Sequence, residues 1–276
     1  MTMETLAWGY GLIEGPRVDV DGNLFFSDVH NGGVFRRSPD GEITVAIPKR
    51  RGVGGIALHA DGGLVVGGRN ICHVKDGETR VVFDNEAPGF NDLMADEQGR
   101  VYCGTLRSNP FDDLTAERTP GECLRLELDG TATEVYGGVA LTNGIGFSPA
   151  GDRMYHSDTG NHHLICHDIL DGTVTNRRAL FEHPTFFPDG LAVDSDGTIW
   201  VADFGNRCVR GLSPEGVEVA KIEVPAKEVT SVCFGGDDLR DLYIVTADNT
   251  DDPSRRGTIF RTRAEVAGQP NTYARV

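Results

Sequence analysis

Short apolar runs separated by glycine turns recur along the whole chain. Residues 16–28 read as a short strand, a turn at Asp21-Gly22 and a second strand, and residues 190–203 repeat that order around Asp196-Gly197. An Asp-Gly pair between two apolar runs is a strong local signal for a β-hairpin. The same unit recurs at 56–68, 93–105 and 145–158, and more loosely at 232–246.

The repeat predicts an all-β fold, a six-bladed β-propeller with four-stranded antiparallel blades. Each hairpin is followed by a further apolar run, usually a second turn, and a fourth run. Six such units divide the 276 residues into about 46 each, which is typical of propeller blades. No long stretch has helical periodicity and no Gly/Ser linker interrupts the pattern, so we predict one domain over residues 1–276. Residues 4–8 read as the outer strand of the last blade, so that the two chain ends pair and leave no free sheet edge.

Aligning the units on their turn glycines brings one position at the start of each first strand into a single column. In a closed ring these side chains converge on the axis, and four of the six are carboxylates or carboxamides. Such oxygen donors are the ligands that Ca²⁺, Mg²⁺ or Mn²⁺ prefer. For any one residue the alternative is a side chain that bonds its own turn backbone, but four in register favour a metal site. The column, called the ring below, comprises Glu14, Gly54, Asn91, Asn143, Asp189 and Thr230.

A second column lies 14 or 15 residues further along each unit. Three of its members begin the pattern Asp-x-x-Asn, and Asp and Asn at hairpin ends satisfy turn backbone groups. We therefore interpret this column as structural, and keep only Asp28 and Asp203 as candidate supports for the ring. Its members are Asp28, Gly68, Thr105, Asp158 and Asp203.

One loop on the ring side is much longer than its counterparts. The turn between the second and third strands of each blade returns to the face where the ring lies. In the third blade that turn spans 106–120, and it is a candidate lid over the site, the alternative being a passive surface loop. Phe90, Phe186 and Phe187 flank ring positions, where they could line a pocket or pack between blades.

Composition excludes several classes of partner. The net charge of −16 argues against binding to nucleic acid or to an anionic membrane. No apolar run approaches the ~18 residues of a membrane span. Residues 1–11 are short and lack a basic start, so we expect no signal peptide. The six cysteines form no Cys-x-x-Cys pair, so we expect buried free thiols and a cytoplasmic location.

Six segments form a specific combination: Ile13-Glu14-Gly15-Pro16, Phe90-Asn91-Asp92, Cys103-Gly104-Thr105, Thr142-Asn143-Gly144, residues 187–194 and residues 230–236. Together they resemble the senescence marker protein/gluconolactonase/regucalcin-like family of six-bladed propellers. The resemblance covers about residues 12–262 and implies one divalent cation in the central channel, often calcium or zinc, and hydrolysis of sugar lactones. It implies that Glu14, Asn143 and Asp189 are direct metal ligands and that Asp189 is also the general base. Asn91 would bind substrate or complete the ligand set.

The chain departs from the family at the expected sugar-binding cation. Some members carry an arginine two residues before the asparagine that corresponds to Asn91, and here that position is Gly89. Arg17, Arg69 or Arg107 could supply a replacement. Within the candidate lid, Asn109 could hold substrate, and Glu117 lies in a segment that resembles a family segment with a substrate-side carboxylate.

The predicted chemistry is hydrolysis of a small-molecule lactone or ester. A bound cation polarises an ester carbonyl and stabilises the oxyanion, while Asp189 takes the proton of the attacking water. Ca²⁺ is the favoured ion, with Zn²⁺, Mn²⁺ and Mg²⁺ as alternatives. The same machinery would serve a phosphotriester, as in the diisopropyl fluorophosphatase relatives. A non-catalytic propeller that binds calcium or a protein partner is the competing class.

Overall fold

The computed structural model describes residues 2–112 and 117–276. Within these residues, 24 strands form six four-stranded antiparallel sheets, and two single 3₁₀ turns are the helical segments. This confirms the predicted six-bladed propeller, and none of its described helical segments is long and apolar enough to cross a membrane.

Each blade runs in chain order from an innermost to an outermost strand. In the sixth blade the outermost strand is β1, Glu4–Tyr10, from the start of the chain. Blades 1 and 2 contain β2 Ile13–Val18, β3 Leu24–Asp28, β4 Val34–Arg37, β5 Ile43–Ile47, β6 Ile56–Leu58, β7 Leu64–Val66, β8 Ile71–Lys75 and β9 Glu78–Phe83. Blades 3 and 4 contain β10 Gly89–Ala95, β11 Val101–Leu106, β12 Gly121–Leu126, β13 Ala132–Val139, β14 Thr142–Phe147, β15 Arg153–Asp158, β16 His163–Leu170 and β17 Thr173–Glu182, with a 3₁₀ turn at Thr159–Asn161. Blades 5 and 6 contain β18 Pro188–Val193, β19 Ile199–Asp203, β20 Cys208–Leu212, β21 Glu218–Glu223, β22 Val229–Gly235, β23 Asp241–Thr246, β24 Gly257–Arg263 and β1 Glu4–Tyr10, with a 3₁₀ turn at Pro253–Arg255.

In blades 1, 3 and 5, an Asp side chain caps the tight bend between the first and second strands. In blade 5, Asp194 Oδ1 accepts hydrogen bonds from the backbone N–H groups of Asp196 and Thr198 at 3.1 and 2.9 Å. Gly197 then adopts φ +90°, a conformation that glycine reaches without strain. Asp19 and Asp96 cap the corresponding turns of blades 1 and 3 in the same way.

Pairing of the two ends of the chain closes the ring, as the sequence predicts. Strand β1 pairs antiparallel with β24, from Glu4 opposite Arg261 to Tyr10 opposite Gly257. An ion pair of 2.6 Å joins Glu4 and Arg261 across this seam. The last blade therefore contains both N-terminal and C-terminal sequence.

The apolar core lies between neighbouring blades. Phe90 packs with side chains of blades 2 and 3, and Phe186 packs with side chains of blades 4 and 5; both rings are fully buried. Packing between blades is therefore their role, whereas Phe187 is half-buried and meets the His162 ring edge-on at 4.7 Å. All six cysteines lie in described residues and are buried and free of disulfides.

The C-terminal segment crosses the face opposite the ring and covers that end of the central channel. It touches every blade: Gln269 Nε2 donates to the carbonyls of Phe147 and Val193, Thr272 Oγ1 donates to Ala95, and Ala274 N–H donates to Leu58. Asn271 Nδ2 donates to the carbonyl of Val18 in blade 1, and Gly268 N–H donates to the carbonyl of Leu239 in blade 6. A channel cavity of about 770 Å³ remains between this segment and the inner strands.

Candidate functional site

The ring positions lie where the inner strands meet around the axis. Strands β2, β6, β10, β14, β18 and β22 each contact the next, and β22 contacts β2. Glu14, Asn143 and Asp189 are 7, 8 and 6% exposed, and Asn91 is half-buried. The strands therefore bring acidic and amide oxygens together at one mouth of the channel.

A β-bulge redirects the ring side chains. Regular pairing of first and second strands breaks at or beside the ring position in five blades, because the inner strand has one more residue across the break than its partner. Bulges are common beside active sites because they change where a side chain points. The breaks fall at Glu14/Arg17, Phe90/Leu93, Thr142/Ile145, Pro188/Leu191 and Val229/Ser231.

Two ring positions serve the fold. A Cβ at Gly54 would overlap Asn91 Oδ1, so glycine here leaves room for the carboxamide of the next blade. Thr230 Oγ1 lies 2.6 Å from the Ile13 carbonyl and 3.0 Å from the Val245 carbonyl, and so connects blade 6 to blade 1. The remaining four residues form the candidate site.

The two carboxamides are oriented by hydrogen bonds. Asn91 Nδ2 donates to Asn143 Oδ1 at 2.8 Å and to the Thr142 carbonyl at 2.7 Å. Asn143 Nδ2 donates to Thr159 Oγ1 at 2.8 Å, and that hydroxyl donates to the Pro188 carbonyl, next to Asp189, at 2.6 Å. A continuous network thus joins blades 3, 4 and 5 at the site.

The two carboxylates are buried close enough to repel each other. Burial raises the pKa of Glu14 well above its ordinary value, and the charge of Asp189 raises it further. Burial also raises the pKa of Asp189, followed by the charge of Asp92. Asp189 Oδ1 is buried without a hydrogen-bond partner in residues 2–112 and 117–276. Buried anions normally pair with a cation or a hydrogen-bond donor.

This donor set fits a hard cation. An ion between Glu14 and Asp189 would neutralise their repulsion and satisfy the orphaned oxygen, and amide oxygens are ordinary partners for it. In the described part of the chain, no three His, Cys, Asp or Glu side chains are grouped to hold a metal. A site here therefore needs an asparagine as well as the two carboxylates.

Sequence reasoning missed Asp92 as part of this charge cluster. Asp92 is 5% exposed, its charge raises the pKa of both Glu14 and Asp189, and it lies 3.5 Å from the Arg17 guanidinium. Its position, directly after the ring residue, is glycine in four other blades, and that contrast is the signal that could have revealed it.

Arg17, predicted to bind substrate, points into the channel beneath the ring. Its guanidinium donates to the carbonyls of Pro16 and Leu93 at 2.7 and 3.2 Å, in addition to its contact with Asp92. The side chain is 8% exposed. These contacts make it a counter-charge for the cluster, and substrate binding by Arg17 stays a prediction.

The other candidate substrate residues lie on the loops of the ring face. Arg69 is exposed and forms a 3.0 Å ion pair with Asp84. Arg107 forms a 3.1 Å ion pair with Glu122 on the next strand. Each arginine therefore has a carboxylate partner that a substrate would have to share or displace.

The candidate lid, 106–120, is described except for residues 113–116. Asn109 bonds within the loop, since its Nδ2 donates to Asp112 Oδ1 at 2.9 Å, and Glu117 is exposed. The Phe111 ring lies 5.0 Å from the His30 ring of blade 1. A loop of blade 3 that reaches blade 1 lies above the channel mouth, where a lid would have to be.

The second column serves the turns, as interpreted from sequence. Asp28 accepts from the backbone N–H groups of Gly11 and Asn31 at 2.9 Å, and Asp203 accepts from Phe187 N–H at 3.0 Å and from Arg210 Nε at 2.6 Å. Neither carboxylate has an oxygen directed at the ring residues among these contacts.

Comparison with known proteins agrees with this architecture. Residues 12–248 match the family described as "SMP-30/Gluconolactonase/LRE-like region". Pentonolactonase XacC of Haloferax volcanii is 33% identical over 90% of this chain and 88% of its own, and the 6-deoxy-6-sulfogluconolactonase of Pseudomonas putida is 34% identical over 89 and 88%. The structure of a calcium-binding regucalcin from Agrobacterium tumefaciens superposes with a TM-score of 0.86 at 22% identity, over 99% of this chain and 97% of that one. The chain belongs to the SMP-30/gluconolactonase/LRE-like family, a family that includes sugar lactonases.

Proposed function

We propose that this protein is a divalent-cation-dependent lactonase that opens a sugar lactone. The observation that carries the proposal is the pair of buried carboxylates, Glu14 and Asp189, with one oxygen of Asp189 lacking a partner in the described chain. Two lactonases at 33 and 34% identity support the substrate class.

Glu14, Asn143 and Asp189 would hold the cation, with Asn91 beside them. Ca²⁺ is favoured because all four side chains offer oxygen and because a structural neighbour is described as calcium-binding. Zn²⁺, Mn²⁺ and Mg²⁺ are alternatives for the same site. When bound, a divalent cation polarises an ester carbonyl and stabilises developing negative charge on its oxygen.

Asp189 would act as the general base. Its carboxylate would accept a proton from the water that attacks the lactone carbonyl. A cation bound to a carboxylate makes it a weaker base, and the burial that raises the pKa of Asp189 opposes that weakening. Water adds to the carbonyl carbon, the ring C–O bond breaks, and the proton passes to the departing alkoxide. The product is the open hydroxy acid.

The loop 106–120 would hold the sugar. Arg107, Asn109 and Glu117 are the polar groups that it offers, and Arg69 lies on the neighbouring turn. The reduced, buried cysteines support a reducing compartment such as the cytoplasm.

Turnover of five- and six-carbon sugar lactones tests the proposal. Protein stripped of metal by a chelator should hydrolyse lactone no faster than an enzyme-free blank. Adding Ca²⁺ or another of the four ions should restore the activity. Asp189→Asn, reloaded with metal, should lose at least ~100-fold in kcat, the scale of general-base loss. The matched control is Asp194→Asn, a buried carboxylate directly after the far end of strand β18, which begins beside Asp189. Metal binding without turnover of any lactone would favour a calcium-binding propeller instead.

A further inference from the structure

A buried histidine lies behind the two ring carboxamides. His156 on β15 is 0% exposed; its Nδ1 lies 2.7 Å from Tyr136 Oη and its Nε2 lies 2.7 Å from Thr142 Oγ1. Both imidazole nitrogens are therefore hydrogen-bonded, one as donor and one as acceptor. Burial lowers the pKa of His156 to about 3, so the imidazole remains neutral, with one nitrogen as donor and the other as acceptor.

Thr142 connects that histidine to the site. Its carbonyl accepts one hydrogen bond from Asn91 Nδ2, and the next residue, Asn143, accepts another through Oδ1. Asn143 lies in the bulge between the paired positions Thr142 and Ile145, so no strand partner is paired with it in the ladder. Its orientation must then come from its neighbours.

The neighbouring blade leaves room for this contact. A Cβ at Gly104 would overlap Thr142 Oγ1, and no other side chain could stand there without displacing the hydroxyl. Thr142 is 1% exposed, so its hydroxyl has no access to water as an alternative partner. The glycine of Cys103-Gly104-Thr105 thus serves the Thr142–His156 contact.

We propose that His156 is a positioning residue for the cation site. It fixes Thr142, and through Thr142 it fixes the carboxamides of Asn91 and Asn143. The inference rests on the proposed function, because it concerns the same site, but the hydrogen-bond chain that it describes is made by protein groups alone. His156 touches neither the ring oxygens nor a substrate in this arrangement.

Thr142→Val tests the link with minimal change of shape, since it removes the hydroxyl and keeps the branched side chain. Outer groups of this kind typically change metal affinity 10–100-fold, so we expect Mn²⁺ to bind about 10-fold more weakly or worse, measured by calorimetry. Thr142→Ser retains the hydroxyl and should restore wild-type affinity. His156→Phe should reproduce the loss.

The control is Thr246→Val in blade 6. Thr246 is also 0% exposed, and the hydrogen bonds of its hydroxyl in the described residues go to backbone groups of Asp248 and Thr258. This change should lower thermal stability without altering Mn²⁺ affinity. Equal Mn²⁺ affinity in wild type, Thr142→Val and His156→Phe would overturn the proposal, as would an equal loss in Thr246→Val.

A metal-independent measurement separates this proposal from the proposed function. In metal-free wild type the side-chain NH₂ protons of Asn91 should exchange slowly with solvent in NMR spectra, and they should exchange at least ~10-fold faster in Thr142→Val. If the wild type binds no divalent cation, the proposed function fails. The exchange rate of the Asn91 protons still tests whether Thr142 positions that side chain. Unchanged exchange in Thr142→Val would contradict the positioning even if the wild type is an active lactonase.

Discussion

Replacing Asp189 by asparagine should stabilise the metal-free protein while it abolishes the proposed catalysis. The reason is the buried Asp189 carboxylate, which has an oxygen without a partner in the described residues and faces the charges of Glu14 and Asp92. An amide at this position carries no charge, so it does not repel Glu14 or Asp92. The variant removes a buried negative charge that faces two other carboxylates, and we expect a gain of about 1–3 kcal/mol, the scale of the penalty for leaving a buried polar group unsatisfied.

The stability difference between Asp189→Asn and wild type depends on pH. Burial raises the pKa of Asp189 in the folded, metal-free state, so the unfolded chain loses this proton first as the pH rises. The wild type therefore loses stability from the ordinary carboxyl pKa of about 3.9 upward, until the folded pKa is passed. Asparagine does not ionise, so the advantage of the variant should be absent near pH 4 and largest near pH 8.

Thermal unfolding in chelator and in excess metal measures the effect. At about 2 °C per kcal/mol, the low end of the scale for domains slightly smaller than this one, the Tm of Asp189→Asn in chelator at pH 8 should exceed that of wild type by about 2–6 °C. With metal at 100 times Kd, wild type gains about 2.7 kcal/mol of stability. The Tm difference between Asp189→Asn and wild type should then become smaller or change sign.

Asp194→Asn is the matched control for stability. Asp194 is 1% exposed, and its oxygens accept from two turn N–H groups and from Trp200 Nε1. Its replacement should destabilise the protein with or without metal. If Asp189→Asn lowers the metal-free Tm at pH 8 as Asp194→Asn does, the carboxylate is already satisfied and the reasoning is wrong.

Three further predictions follow from the same structure. Metal affinity should fall as pH is lowered from 8 to 5, because burial raises the pKa of both Glu14 and Asp189 and bound metal must displace their protons; calorimetric affinity that is flat over this range would contradict the ligand assignment. Replacing residues 108–118 by a short glycine-containing turn should leave metal content unchanged and raise KM or shift substrate preference, whereas unchanged kinetic constants would show that the loop is a bystander. The six buried cysteines should resist a thiol reagent at pH 8 in the native state and all react in denaturant, since burial raises the pKa of three of them to about 12; rapid native labelling would contradict their placement.

The repeated hairpins made the fold predictable from sequence. Six units with the same turn chemistry can close only by stacking around an axis, and residues 4–8 had no partner except the last blade. The column of ring positions was also visible, because the repeats could be aligned on their glycines.

The contacts between blades were not predictable in the same way. Alternation of apolar and polar residues assumes regular strands, and the bulges at the ring shift that alternation by one or more positions. Asp92 therefore escaped notice, and so did the 3.5 Å contact between its carboxylate and the Arg17 guanidinium beneath the ring. The His156 contact with Thr142 depends on the register of β15 against the bulged β14, which the repeat pattern does not specify.

A crystal of the protein loaded with Mn²⁺, measured for anomalous scattering, tests the central claim most directly. We predict one strong anomalous peak on the propeller axis, within roughly 2.0–2.6 Å of oxygens of Glu14, Asn143 and Asp189. The same crystals soaked in chelator should lose the peak. A peak elsewhere, or none at these three side chains, would contradict the account.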